Sequence, residues 1–332
     1  MIPGGRMLQQ GLVPPRNDEF GMNWRWTLLI VLCCRPVVAA EPLPWPETAE
    51  PGAVLVEILG DERFFGGPTW DPASQSLFIT AFSKTNQQIL RLDSSGQISI
   101  WIDQTAGING TFLSNSGRLL ATQAFGHRVM SYGLGTNGPV DIKTLLFDPT
   151  LHQPNDLCQT PKGDIYFTDP DFKERKTSAV YRIAPNGLVT REITDLAVPN
   201  GIIASPTGRF LYVADSDAKL WMVYPIQKTG ALGTGSVFFK PETASTIDPD
   251  GMSMDEEGNV YLTGMGGVWV VHPKGRLLGF IPLSEVCSNL AFGGIDGKTL
   301  YITCSSKLYS LRMKVHGAHF GKRLWQIFRS AD

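Results

Sequence analysis

The chain has 332 residues, a formal net charge of −2, 18% charged residues and 42% hydrophobic residues. This composition is that of a globular protein, and the near-neutral charge argues against nucleic acid as the main partner. Glycine and proline are abundant, at 35 and 23 residues, and they lie between short runs of β-branched and aromatic residues. Many short strands joined by many turns are therefore expected.

The N-terminal segment has the pattern of an export signal. The apolar run TLLIVLCC follows Arg25 and is followed by VVAA, with Ala40 before Glu41. Such a run with a small-residue cleavage site is typical of a secretory signal peptide, and it is too short to span a bilayer as a mature helix. We predict a signal peptide over residues 1–40, with Met22 as an alternative start. The protein is then expected to be secreted or periplasmic, with no stable membrane span.

The remaining chain divides by composition. Residues 41–52 are rich in proline and polar residues and are predicted to be a linker. Residues 53–315 are predicted to form the folded domain, and residues 316–332 a basic C-terminal tail. The apolar residues of the tail fall on one helical face. We interpret the tail as a short cap or a frayed end, with contact to an anionic surface as the alternative.

One short phrase recurs through the folded domain. A small polar residue is followed eight positions later by glycine and then by a β-rich run, as in Asn155 to Gly163 followed by DIYFT. Six copies lie 39 to 50 residues apart, a period typical of a radial repeat protein. We predict an all-β fold, a six-bladed β-propeller with four-stranded blades around a central channel. The six lead positions are Gly66, Asn109, Asn155, Asn200, Asp250 and Asn289.

Two further strands flank the repeats. AVLVEIL begins at Ala53, before the first copy, and LYSLRMKV begins at Leu308, after the last copy. Propellers commonly pair their chain ends within one blade, which removes an open sheet edge. These two segments are therefore predicted to pair and close the ring.

The lead positions also predict a site. The innermost strand of each blade lines the channel, so residues at one phase lie at one height around the axis. Amide and carboxylate oxygens suit Ca²⁺, while Mg²⁺, Mn²⁺ and Zn²⁺ fit less well. The competing interpretation is structural, because Asn and Asp before glycine are common turn formers. Polar side chains in five of the six copies favour a functional ring with one divalent cation.

Three cysteines follow the predicted signal: Cys158, Cys287 and Cys304. An odd number without close spacing indicates neither a disulfide framework nor a metal cluster. A pair between Cys287 and Cys304 is the alternative. We interpret all three as small buried apolar residues.

Several phrases, in serial order, resemble the SMP-30/gluconolactonase/luciferin-regenerating (LRE)-like family of six-bladed propellers. The resemblance covers about residues 53–313, and its PND and FTDP phrases resemble the bacterial gluconolactonase branch. The phrases include GGPTWDP at Gly66, QPNDL at Gln153, IYFTDPDF at Ile165, PNGIIASPTGRFLYVAD at Pro199, and DPDGMSMDEEGNVYL at Asp248.

The resemblance implies a divalent cation, usually calcium, at the channel mouth. Its ligands would be Asn200 and Asp250, with Asn155 joining them or binding substrate. Asp250 would also be the general base, and Asn109 and Gln123 would face the substrate. The implied reaction is metal-dependent hydrolysis of a sugar lactone, in which the cation polarises the carbonyl and Asp250 accepts the proton of water.

Two departures from the family pattern stand out. The family has a glutamate in an EGPxW phrase, where this chain has Gly66 in GGPTW. Loss of one charged ligand predicts weaker metal binding, unless Glu62 or Asp61 reaches in from the preceding loop. TQAFGHR replaces a phrase that is usually richer in Glu and His, and His127 in it is either a compensating substrate contact or a surface-loop histidine.

The alternatives to a lactonase follow from these departures. The main one is a degenerate, non-catalytic propeller that binds carbohydrate or protein at the same mouth. A second is a metal hydrolase with a phosphotriester or aromatic lactone as substrate, and a third is a scaffold propeller, against which the polar ring argues. No GxSxG, HExxH or Walker phrase occurs, so these other catalytic motifs offer no competing site.

Overall fold

A computed structural model gives the fold and describes residues 42–242 and 248–318. The predicted signal peptide and residues 319–332 of the predicted tail lie outside the described residues. The described chain consists of strands, turns and irregular segments. It contains no helix with the length and apolar character needed to cross a membrane.

The described residues form a β-propeller built from antiparallel strands. After β1 (Val56–Gly60), four separate four-stranded sheets follow in chain order. The first contains β2 (Phe64–Asp71), β3 (Ser76–Phe82), β4 (Gln87–Leu92) and β5 (Ile98–Ile102). The second contains β6 (Ile108–Leu113), β7 (Leu119–Gln123), β8 (Arg128–Gly135) and β9 (Gly138–Phe147). The third contains β10 (Leu157–Gln159), β11 (Ile165–Asp169), β12 (Ala179–Ile183) and β13 (Val189–Ile193). The fourth contains β14 (Pro199–Ala204), β15 (Phe210–Asp215), β16 (Leu220–Pro225) and β17 (Ser236–Phe239).

The last part of the chain forms one six-stranded sheet. Its order is β1-β22-β21-β20-β19-β18. The prediction of six separate four-stranded blades is therefore wrong for this part of the chain. The reason is that β20 pairs with β19 along its first half and with β21 along its second half. The strands added here are β18 (Met252–Met254), β19 (Val260–Val271), β20 (Leu277–Gly293), β21 (Thr299–Cys304) and β22 (Lys307–Arg312).

The two ends of the folded domain pair as predicted. Strand β1 runs antiparallel to β22, with Val56 opposite Ser310 and Leu59 opposite Leu308. The side chain of Leu308 is completely buried. This pairing places an N-terminal strand in the sheet that the C-terminal strands build, so β22 does not present an open edge.

Six inner strands enclose the centre of the molecule. Around the ring, β2 contacts β6, β6 contacts β10, β10 contacts β14, β14 contacts β18, β18 contacts β20, and β20 returns to β2. Apolar and aromatic side chains fill the space between neighbouring sheets, as where Trp221 packs against Trp269 at 5.9 Å between ring centroids. Burial of such large side chains provides the main stabilisation of the ring.

The cysteines differ from the preferred interpretation. Cys287 and Cys304 lie directly opposite each other in β20 and β21 and form a disulfide. Cys158 is a free, buried cysteine, as expected. The interpretation of Cys287 and Cys304 as unpaired was wrong because antiparallel register brings together residues that are distant in sequence.

Candidate active site

The lead residues of the repeats lie on the inner strands. Gly66, Asn109 and Asn200 belong to β2, β6 and β14, and Asn289 belongs to β20. Asn155 and Asp250 lie two residues before the short strands β10 and β18. Because these strands form a closed ring, the six positions surround one centre, as the repeat phase predicts.

Backbone contacts link the lead positions through the first half of the ring. The amide of Gly110, next to Asn109, donates to the carbonyl oxygen of Asn155 at 2.7 Å. The hydroxyl of Thr168 in the third sheet donates to the carbonyl oxygen of Asn200 at 2.6 Å. Gly201 then packs so closely against the backbone of Asp250 that a Cβ atom would not fit. The backbones of Asn155, Asn200 and Asp250 are therefore held on adjacent strands.

The second half of the ring closes in the same way. The amide of Gly251 donates to the carbonyl oxygen of Ser288 at 2.8 Å. The hydroxyl of Ser288 donates to the carbonyl oxygen of Phe65 at 2.6 Å. Phe65 precedes Gly66, so the last repeat is joined to the first at the lead phase.

Buried threonines in the second strands hold this ring, and sequence reasoning missed them. Their hydroxyls donate to carbonyl oxygens of lead residues or their neighbours. The available signal was the final threonine of the runs RLLAT, DIYFT, NVYLT and KTLYIT. The four residues are Thr122, Thr168, Thr263 and Thr303, and all have no exposed surface.

Asn200 has a side-chain oxygen atom that could coordinate a metal ion. Its amide nitrogen donates to the hydroxyl of Ser216 at 3.1 Å. Its carbonyl oxygen Oδ1 is buried and has no hydrogen-bond partner within the described chain. A buried polar atom without a partner is costly. An oxygen in this position suits a cation, because a cation would supply the missing interaction.

Asp250 is the one carboxylate among the six lead residues. Burial raises the pKa of its carboxyl well above the ordinary value of 3.8, and the negative charge of Asp156 raises it further. The amide of Gly251 opposes this shift. The raised pKa favours the protonated form of Asp250, and a bound cation would favour its carboxylate form.

Asp156 is a second carboxyl group at the centre that sequence reasoning did not select. Its Oδ1 accepts the Leu157 amide at 2.9 Å, and its Oδ2 accepts the side-chain amide of Asn289 at 3.3 Å. Asn289 belongs to the sixth repeat and Asp156 to the third, so this bond crosses the ring. Burial raises the pKa of Asp156 to about 7.

A cavity of about 90 Å³ lies along the inner strands beyond this crossing bond. Its walls include Thr69, Thr111, Ile202 and Met252, which follow the lead positions in sequence. Of the six lead residues, Asn289 alone lines it. The Asp156–Asn289 bond therefore lies between this cavity and the other lead residues.

The oxygen atoms at the ring fit a hard divalent cation, which they would bind with modest affinity. Asp250 provides a carboxylate, and Asn155 and Asn200 provide amides, of which the Asn200 oxygen lacks a partner. Oxygen donors of this kind are the ligands of Ca²⁺. Within the described residues, no three His, Cys, Asp or Glu side chains form a metal-binding group. Asp250 is the one charged lead residue, and Asp156 adds a second carboxyl group near it.

The possible replacements for the missing carboxylate do not reach the ring. Asp61 is occupied by Arg63, whose amide donates to Asp61 Oδ1 at 2.7 Å and whose guanidinium also contacts the carboxylate. Glu62 is exposed. Gly66 thus leaves the first repeat without a carboxylate of its own.

The remaining predicted substrate contacts lie apart from the ring bonds. Asn109 is half-buried at its lead position in β6. The amide nitrogen of Gln123 donates to the Thr105 carbonyl at 3.0 Å. His127 has a φ of 51° in the turn after β7, and its Nδ1 lies 2.7 Å from the carbonyl oxygen of Leu151. Gln123 and His127 therefore support local loops, and their roles as substrate contacts stay predictions.

Comparison with known proteins identifies relatives of this chain. The gluconolactonase of Zymomonas mobilis subsp. mobilis is 32% identical over 192 residues, which cover 50% of this chain and 52% of that protein. The chain thus spans about half the length of this curated relative.

Solved structures share the fold. The gluconolactonase XC5397 of Xanthomonas campestris is 24% identical with a TM-score of 0.72, and the match covers 82% of this chain and 95% of that one. The calcium-binding protein regucalcin of Agrobacterium tumefaciens is 21% identical with a TM-score of 0.66, covering 78% and 95%. A model of the SMP-30/Gluconolactonase/LRE-like region matches residues 66–306. Because the matched residues make up most of this chain, the chain belongs to the SMP-30/gluconolactonase/LRE-like family.

Proposed function

We propose that the protein hydrolyses a sugar lactone at the ring of lead residues, with the help of a bound divalent cation, most readily Ca²⁺. The observation that carries this proposal is the convergence of Asn155, Asn200 and Asp250 on one centre, with the Asn200 Oδ1 atom lacking a partner. The name of the Zymomonas relative supports a lactone as substrate. The calcium-binding neighbour supports the choice of cation.

The residues of the ring would divide the work of ester hydrolysis. Asn155, Asn200 and Asp250 would hold the cation, which when bound supplies a Lewis acid for the lactone carbonyl. Asp250 would accept a proton as water oxygen bonds to the carbonyl carbon. The bond from that carbon to the ring oxygen then breaks, and the proton passes to that oxygen. Asn109 and Asn155 would orient the sugar hydroxyls, with Gln123 and His127 as further candidate contacts.

The disulfide supports the proposal that the protein is exported. Disulfides persist in oxidising compartments and are rare in the cytosol. The bond between Cys287 and Cys304 therefore agrees with a secreted or periplasmic location. The predicted signal peptide over residues 1–40 points the same way.

We also propose that the six-stranded sheet serves as the last two blades of a six-bladed propeller. Two features support this division. The two halves of β20 have different partners, and six inner strands close the ring around the centre.

Replacement of the proposed base tests the function directly. Asp250→Ala should lower the rate of glucono-lactone hydrolysis by about 100-fold or more, because general-base catalysis typically contributes that much. The rate is measured in a pH-stat with Ca²⁺ present. The control is Asp248→Ala, which removes an exposed carboxylate two residues away that pairs with Lys219.

The outcome separates the lactonase from its main alternative. Asp248→Ala should lower the rate far less than Asp250→Ala, because Asp248 makes only the smallest contribution to the pKa of Asp250. Thermal unfolding should show that both variants remain folded. Wild-type protein without lactonase activity that still binds carbohydrate at the ring would favour the degenerate binding propeller. An Asp250→Ala variant that retains the full rate would refute the role assigned to Asp250.

A further inference from the structure

Phe125 is an exposed aromatic residue at the end of the propeller that carries the lead residues. Of its surface 60% is exposed, the largest exposed fraction of any aromatic residue in the described chain. It lies in the loop between β7 and β8, three residues after Thr122, whose hydroxyl donates to the carbonyl oxygen of Asn155. A single exposed apolar residue needs no explanation by itself. The surroundings of Phe125 therefore decide whether it has a role.

The ring of Phe125 packs on Gly107, directly before the inner strand β6. A Cβ atom placed on Gly107 would lie 2.6 Å from the ring carbon Cδ2 and 3.0 Å from Cγ, so the contact requires glycine. Gly107 is two residues before Asn109, and two residues of chain span at most about 7 Å. One side of the ring is thus covered by backbone, and its exposed part lies near the inner strand that carries Asn109.

Hydrogen bonds hold the Phe125 loop against the loop before β6. The amide of Ala124 donates to the carbonyl oxygen of Gly107 at 2.9 Å, and the amide of Phe125 donates to that of Ala106 at 3.2 Å. The side chain of Gln123 adds a third link to the same loop. The position of the ring is therefore fixed by the backbone rather than by contacts of its exposed part.

Both loops contain residues in the left-handed region of the backbone. The φ angles are 56° at Gln104, 55° at Ala106 and 51° at His127. This conformation is unfavourable for a residue with a Cβ atom. It persists where the surrounding structure imposes it, and it is frequent where a protein holds a ligand.

The chemistry of the ring indicates which part of a substrate it contacts. In glucono-1,5-lactone the hydroxyls point outward from the ring edge, which leaves C–H bonds on the two faces. The face of an aromatic ring is negative and attracts partly positive hydrogen atoms. The amides of the lead residues suit the hydroxyls, so an aromatic surface beside them suits a face of the lactone.

We propose that Phe125 is a specificity-determining residue, on which the C–H face of a sugar lactone stacks while the lead residues hold its carbonyl and hydroxyls. This inference rests on the proposed function. Stacking of this kind holds the substrate and the transition state alike, so it lowers KM and leaves kcat nearly unchanged. Gly107 has the part of a seat for the ring, and the two loops keep the ring at the channel mouth.

Steady-state hydrolysis of glucono-1,5-lactone, followed in a pH-stat with Ca²⁺ present, tests the role of Phe125. Phe125→Ala should raise KM by about three- to tenfold, the effect of one aromatic contact, and should change kcat by less than about twofold. Phe125→Leu should also have a raised KM, because it keeps an apolar side chain without an aromatic face. Phe125→Tyr should retain the wild-type KM, because it keeps that face.

The matched control is Phe210→Ala, which removes an exposed phenylalanine at the other end of the propeller. Phe210 is 40% exposed and begins β15. The next residue, Leu211, pairs with Ala204 at the end of β14 that is remote from Asn200. Phe210→Ala should therefore keep the wild-type KM and kcat. Thermal unfolding checks that every variant is folded.

The possible failures are distinct. A wild-type KM in Phe125→Ala or in Phe125→Leu would overturn the stacking and leave the lactonase standing. A loss confined to kcat, or an equal rise of KM in Phe210→Ala, would overturn it as well. Wild-type protein that hydrolyses no sugar lactone would instead refute the proposed function, and the role of Phe125 with it.

Discussion

Asp156 and Asp250 place two carboxyl groups close to one centre, and the negative charge of Asp156 raises the pKa of Asp250. Burial is the largest cause of the raised pKa of both groups, and the charge of Asp156 adds to the shift of Asp250. No lysine or arginine contributes to lowering either pKa among the described residues. Burial without a cationic partner disfavours the charged form of a carboxyl group. The centre is therefore suited to a proton or a metal cation.

The pKa of Asp156 predicts a pH dependence of the free energy of unfolding. Above about pH 4 the unfolded chain ionises this carboxyl, while the folded protein keeps its proton until the folded pKa of about 7. The contribution of Asp156 to stability is thus complete below about pH 4 and is lost as the pH rises to about 7. The shift from 3.8 to about 7 corresponds to about 4 kcal/mol.

Comparison with Asp156→Asn isolates this contribution, because other carboxyl groups titrate in the same range. Without added metal, urea unfolding of both proteins is measured from pH 4 to pH 8. The wild type should lose up to about 4 kcal/mol relative to the variant across that range. Parallel profiles would show that Asp156 titrates normally in the folded protein.

The residues of the site differ in how far sequence could identify them. Asn155, Asn200 and Asp250 share a repeat phase, and phase alone predicted that they surround one centre. Asp156 is next to Asn155 but has no counterpart across the repeats, so periodicity gave no reason to select it. Its contact with Asn289 depends on the width of the ring, which no local pattern encodes.

The buried threonines connect single strands into a ring. Thr168 accepts the Asp156 amide at 3.0 Å and donates to the Asn200 carbonyl at 2.6 Å, and so joins the third repeat to the fourth. Thr80 occupies the equivalent place without a hydrogen-bond partner in the described chain. The two residues have the same burial and differ in hydrogen bonding.

This difference makes a matched pair of substitutions. Thr168→Val should lower the free energy of unfolding by about 1–3 kcal/mol, because it leaves buried backbone groups without partners. Thr80→Val should change it by less than about 1 kcal/mol, since no hydrogen bond is lost. Chemical denaturation measures both. Equal losses in the two variants would mean that packing, rather than the hydrogen bonds, determines the cost.

Sequence predicted the strands better than it predicted their grouping into sheets. The repeated run after each glycine became a second strand in each case, as with DIYFT in β11 and NVYLT in β19. The union of the last strands in one sheet could not be predicted, because it depends on the continuous pairing of β20 with two neighbours. The disulfide was only the alternative interpretation for the same reason, since register across β20 and β21 brings its cysteines together.

Closure of the whole ring depends on a strand from outside the repeats. Strand β1 covers the edge of β22, and Ile58 and Leu59 pack on a cluster that includes Phe65 and Leu308. Phe65 accepts the hydroxyl of Ser288, which joins the last repeat to the first. The same region therefore holds both the outer edge of the sheet and the inner contact between Phe65 and Ser288.

Removal of β1 should consequently destabilise the entire propeller. A chain that begins at Asp61 loses the ladder to β22 and the burial of Ile58 and Leu59. Hydrogen bonds of about 1 kcal/mol each and side chains of about 1.5–3 kcal/mol each sum to several kcal/mol. Because the ring is one closed unit, we expect a single unfolding transition lowered by about 10 °C or more.

The control is a chain that begins at Val56, which keeps β1 and, like the shorter chain, lacks the residues before it. Differential scanning calorimetry compares the two chains under identical conditions. The shorter chain should also self-associate, because an uncovered β22 offers unpaired backbone groups to a second molecule. Sedimentation velocity detects this association. If the shorter chain melts at the same temperature as the control and remains monodisperse, β22 needs no partner strand and the pairing of the chain ends does not stabilise the ring.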